Sequence, residues 1–139
     1  MTDPNPARPL SDPFERYAAK AEAEGSHDVA ARLRVEGRVA RAIVDKALAE
    51  NMCISVHDGE EYTIAQSTDR AAIIDAMAST DMDKLVLRDT DSRRYRGTIV
   101  LVYGNSGWDV ISDHTYALTD WLSPIMELCD QIDREMHSL

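Results

Sequence analysis

Between residue 12 and about 51 the apolar side chains of this chain recur at three- and four-residue spacing, and at Met52 the period changes to two, as in Met52, Ile54 and Val56 and again in Tyr62 and Ile64. The first spacing puts side chains on one side of a helix, and the second puts them on one face of a strand. One core must accept both, so the chain is expected to fold as an α+β protein. Its 139 residues suffice for a single core of that kind.

The helical part opens at Asp12, a suitable N-cap, with Pro13 at the first helical position and Glu15 placed as a capping-box partner. Ala18, Ala19, Ala21 and Ala23 lead to Gly25, a C-terminal stop, and so few large apolar groups predict weak packing. Ser26 caps a longer helix to about Asn51, carried by Val29, Leu33, Ala40, Val44, Ala47 and Leu48 and widened by Val39 and Ile43. Gly37 inside it costs about 1 kcal/mol relative to alanine and marks a kink or a close crossing. The two helices make a hairpin over 11–51, behind a proline-containing mobile arm over 1–10.

In the strand-forming part, Met52, Ile54 and Val56 precede Asp58-Gly59, and Tyr62 and Ile64 follow. A three-residue loop, His57-Asp58-Gly59, would put all five apolar groups on one face. Ser67 or Thr68 caps a short helix with Ala71, Ile74, Met77 and Ala78 inward, and Leu85 and Leu87 mark a third strand. Thr98 to Tyr103 has no alternation, which predicts a central strand buried on both faces. Gly104-Asn105-Ser106-Gly107 reads as a turn, and Trp108 and Val110 as a fifth strand. Leu118, Trp121, Leu122, Ile125, Leu128, Cys129, Ile132 and Met136 form the stripe of a last helix. Pro124 requires that helix to begin near Thr119 or Asp120. The order is α-α-β-β-α-β-β-β-α, a mainly antiparallel sheet of about five strands packed by helices. The acidic body spans 52–139, and the whole makes one domain.

Charge is unevenly spread. Residues 1–50 hold 8 basic and 9 acidic side chains, whereas 51–139 hold 7 and 16, for a net of −10 over the chain. Such a field repels nucleic acid and anionic membrane and attracts basic partners. Ile99–Tyr103, the longest apolar run, is far short of the ~20 residues of a membrane span, and no signal peptide is visible. Cys53 and Cys129 are isolated among apolar neighbours, as buried thiols of a reducing compartment would be, so the expected location is cytoplasmic.

Motifs with chemistry are scarce. The histidines lack zinc-site spacing, and His57, Asp58, Glu60 and Glu61 lack the spacing of a calcium loop, so no metal or cofactor is expected. Asp113 and His114, as strand neighbours, point to opposite faces and make no dyad. Asp109 and Asp113 on one strand would lie roughly 13 Å apart, beyond the reach of a glycosidase pair. Arg34, Arg38 and Arg41 recur along the long helix, positioned for acids of the same chain or of a second copy. Arg93, Arg94 and Arg96 with Tyr95 form a basic turn suggestive of phosphate contact.

The expectation is a non-enzymatic binding protein that regulates or inhibits a protein partner. Asp58, Glu60, Glu61, Asp81, Asp83, Asp89 and Asp91 would meet a basic protein surface, such as that of a nucleic-acid-binding protein. Arg34, Arg38 and Arg41 of the hairpin would supply docking or homodimer contacts. No direct nucleic-acid or membrane contact is expected. One alternative is a DNA mimic inhibiting a nucleic-acid-binding or defence protein, as anti-CRISPR proteins do. Another is a small hydrolase or nuclease using His57 or His114 with carboxylates. Size, acidity and the missing catalytic motif are common among small accessory proteins of phages and mobile elements, a similarity of type.

Overall fold

The Asp12 carboxylate accepts the backbone amides of Phe14 and Glu15 at 2.9 and 3.4 Å, and so starts α1 (Pro13–Ala23) at the expected residue. The computed structural model describes residues 12–137, and the arm expected over 1–10 lies outside them. Glu15 does not close a capping box; its carboxylate turns to Arg34 of the next helix at 3.3 Å. Gly25 at φ +83° ends α1 in a Schellman turn, with the Ser26 amide on the Ala21 carbonyl and the Gly25 amide on that of Glu22. α2 (His27–Ala49) follows, with Ser26 at its N-cap but making no side-chain cap bond.

The hairpin is packed more closely than its composition suggests. Ala18 and Ala21 are buried against Ala30, with Leu33 beside them. A Cβ on Gly37 would lie 2.7 Å from Phe14 Cβ, so the glycine marks a close crossing. Small side chains give little area each, but they let the backbones approach and carry Phe14 into the main core.

The sheet contains β1 (Met52–His57), β2 (Tyr62–Ser67), β3 (Met82–Asp89), β4 (Tyr95–Val102) and β5 (Ile111–His114), ordered β2-β1-β3-β4-β5. Every neighbouring pair is antiparallel. With α3 (Arg70–Asp75) between β2 and β3 and α4 (Ser123–His137) after β5, the element order and α+β class are those expected. Ile54, Val56, Leu85, Leu87, Ile99 and Leu101 are buried in one core with Ile43 and Val44 of α2, Ile73 and Ile74 of α3, and Ile125 and Ile132 of α4. Each such side chain contributes roughly 1.5–3 kcal/mol on burial. On the alternate positions of β3 and β4, Lys84, Val86, Arg88, Thr98, Val100 and Val102 are half-buried or exposed, so that face meets solvent.

Several local expectations are corrected. The first hairpin pairs His57 with Tyr62 and Val56 with Ile64, which leaves residues 58–61 as the loop. The extra residue Thr63 shifts the register, because its hydroxyl bonds to the Val56 and Ala76 carbonyls. Tyr62 consequently stands beside His57 on the face opposite Val56, at a ring distance of 4.8 Å. Asp69, rather than Ser67 or Thr68, caps α3, and Ile73 takes the inward place expected of Ala71. β3 is central; β1 is the strand buried on both faces, its Cys53 and Ser55 covered by Arg93 and by the Gln66 backbone. Trp108 and Val110 belong to the loop before β5. α4 starts at Ser123, with Pro124 in its first turn, after a 3-10 turn at Tyr116–Leu118. Among the described residues no helix is long and apolar enough to cross a membrane.

Candidate functional site

β3 divides the acidic residues singled out by the sequence into two groups. The β1–β2 loop carries Asp58, Glu60 and Glu61, and Asp81 precedes β3 at the same end of the sheet. The Thr80 hydroxyl ties the two segments together by donating to the Asp58 carbonyl at 3.0 Å. Asp58 shapes its own loop by accepting the Glu61 and Glu60 amides, which hold its carboxyl below the usual range. Among the described residues none of these four acids is ion-paired with a lysine or arginine.

Asp89 and Asp91 lie at the other end of β3, roughly 23 Å away at strand rise. Asp89 pairs with Arg96 at 2.8 Å, and Asp91 accepts from Asn51 at 3.3 Å. The acids therefore do not form one continuous face. Asp83 is no surface group at all: it shares the inward side of β3 with Leu85 and Leu87 and is fully buried. Strand parity reverses its expected place among the contact residues.

The arginine stripe of α2 is consumed within the chain. Arg34 reaches Glu15 and Glu22 at 3.3 and 3.2 Å, Arg38 reaches Glu135 at 3.7 Å, and Arg41 reaches Asp12 at 2.7 Å. Each is satisfied by an acid of α1, its cap or α4, so none stands as a free cation for a partner. In the basic turn, Arg96 is paired with Asp89, Arg88 lies over the Tyr95 ring, and Arg93 donates to Cys53 Sγ.

Each of the two candidate histidines uses one ring nitrogen in a local hydrogen bond. His57 Nδ1 accepts the Gly59 amide at 3.1 Å. His114 Nε2 lies 3.2 Å from Thr119 Oγ1, whose proton already goes to the Tyr116 carbonyl, so the ring must donate to Thr119. Asp113 accepts the backbone amide of His114, although both line a shallow hollow of ≈ 280 Å³ with Lys84. Asp109 is off the strand, so the spacing argument from a shared strand with Asp113 does not apply. Among the described residues no group of three or more histidine, cysteine, aspartate or glutamate side chains is arranged to hold a metal ion.

Sequence reasoning missed a buried polar cluster. Glu36 of α2 is fully buried, and its Oε2 accepts the Gly104 amide at 2.8 Å. Asp83 Oδ2 accepts the Ala78 amide and the Tyr103 hydroxyl. Oε1 of Glu36 and Oδ1 of Asp83 have no partner. Burial pushes both carboxyls upward, against the opposing effect of their hydrogen bonds, and burial pushes the Tyr103 hydroxyl well above its ordinary value. The available signal was periodicity: Glu36 falls on the buried stripe with Val39, Ala40 and Ile43, and Asp83 on the parity of Leu85. Comparison with protein-family models, with curated proteins and with solved structures finds no match for this chain.

Proposed function

We propose that this protein is a non-enzymatic binding protein that regulates or inhibits a protein partner, and that Asp58, Glu60, Glu61 and Asp81 select a basic surface on it. The observation that carries this reading is the contrast between the two charge sets. Arg34, Arg38 and Arg41 of α2 are paired internally, while these four acids lack a lysine or arginine counterpart among the described residues. Their field therefore projects outward and would raise the rate of encounter with a cationic partner. The DNA-mimic alternative draws less support, since Asp89 and Asp91 lie at the opposite end of β3 and are bonded to Arg96 and Asn51.

The test is affinity capture from the native host, comparing the wild type with the triple variant Glu60→Lys, Glu61→Lys, Asp81→Lys. Asp58 is left intact because it holds the loop together. A specific protein retained by the wild type at physiological salt and lost by the variant is the expected result. Equal retention by both overturns the electrostatic reading.

A further inference from the structure

Between the start of α2, the loop after β4 and the end of α4 lies a groove of ≈ 570 Å³, lined by Asp28, Val29, Arg32, Gly104, Trp108 and Met136 among others. Three large apolar side chains line it beside polar ones. Val29 and Met136 are each 41% exposed, and Trp108 is only partly buried. The loop lies flush against α2: a Cβ on Gly104 would sit 3.3 Å from Arg32 Nη1, and one on Gly107 would sit 3.3 Å from Val35.

Arg32 stands apart from its neighbours on the helix. Arg34, Arg38 and Arg41 all have carboxylate partners, whereas Arg32, among the described residues, has none within ion-pair distance. Glu36, one turn on, is turned away to the Gly104 amide and is buried. Half-buried Arg32 has no acid within ion-pair distance and feels the buried Glu36 carboxyl only at longer range, so at the edge of an apolar hollow it can take a ligand with an apolar body and one carboxylate. A dianion fits less well, because Asp28 is on the rim and the chain carries a net charge of −10.

We infer that this groove binds a small apolar carboxylic acid, its carboxylate on Arg32 and its body against Val29, Trp108 and Met136. The inference does not depend on the acidic end of the sheet and survives its failure. The probes are phenylacetate and phenylacetamide, titrated separately into the full chain while the Trp108 indole N–H resonance is followed by NMR. The expected result is a saturable shift with the acid and an affinity for the amide about tenfold weaker, as the loss of one charge-assisted hydrogen bond implies. Arg32→Gln reduces the acid to the level of the amide. Asp28→Asn strengthens acid binding by roughly threefold at low salt, as removal of a nearby like charge requires. This second variant keeps the inference testable if Arg32→Gln perturbs the fold. Equal affinities for acid and amide, an unaltered acid titration in folded Arg32→Gln, or no saturable shift would each overturn it.

Discussion

The Tyr103 hydroxyl donates to Oδ2 of Asp83 at 2.5 Å, inside the core, and the same oxygen takes the Ala78 amide. One carboxylate oxygen thus joins the end of β4 to the segment that leaves α3, while its twin has no partner. Phe14 of α1 packs edge-on against the same tyrosine ring at 5.5 Å, so α1, β3 and the end of β4 meet at this point. Tyr103→Phe should destabilise the fold by about 1–3 kcal/mol, the cost of leaving a buried acceptor with one bond fewer. Urea denaturation with an unchanged m-value checks it, and a cost within error would show that water replaces the hydroxyl.

Glu36 supplies a pH signature. Burial holds its folded carboxyl above the ordinary value of 4.5. The native state therefore keeps a proton that the unfolded chain releases, and stability falls as pH rises from that value to the folded one. Below the ordinary value both states are protonated and the penalty is absent. Glu36→Gln removes this dependence, so the wild type should lose stability relative to the variant as pH rises from acid to neutral. The check is the difference in urea midpoint along a pH series at fixed ionic strength, and a constant difference would contradict the burial of this group.

Gly37 and Gly25 separate crowding from backbone strain. At Gly37 the added methyl meets Phe14 Cβ at 2.7 Å. Overpacking of about 1–3 kcal/mol should outweigh the helix-propensity gain of about 1 kcal/mol. At Gly25 nothing lies within 4 Å, but φ is +83°, so Gly25→Ala should cost only the left-handed strain, about 1–2 kcal/mol. Thermal unfolding of each variant combined with Phe14→Ala provides the discriminator: without the Phe14 Cγ and ring that hold its Cβ in place, Gly37→Ala should be relieved and Gly25→Ala left unchanged.

Asp12 both caps α1 and pairs with Arg41, through different oxygens. Asp12→Asn keeps a cap acceptor and loses the charge, whereas Asp12→Ala loses both. The alanine variant should be the less stable of the two by about 1 kcal/mol, the usual worth of an N-cap. Arg41→Gln should then narrow the gap between wild type and Asp12→Asn, which a double-mutant cycle measures.

The sequence foretold the elements better than their neighbours. Asp12 and Gly25 announced a start and a stop, and Gly37 a kink or a close crossing, because each acts through bonds or contacts within or beside its own helix. The β1–β2 loop was misjudged because a bulge at Thr63 is set by the Ala76 carbonyl, which a distant helix end supplies. The candidate acids were read as one population because charge alone marked them; parity already distinguished Asp83, in step with Leu85 and Leu87, from exposed Asp81.

By itself the sequence determined the order of helices and strands and the surplus of negative charge, since periodicity, capping and composition are local or additive properties. Tertiary structure alone decided that β1 lies between β2 and β3, that Arg41 meets Asp12 while Arg32 meets no acid at ion-pair distance, and that Glu36 and Asp83 are enclosed. Burial and ion pairing depend on which remote segments arrive at a given point. A carboxyl has the same identity in the chain whether water or the Tyr103 ring surrounds it.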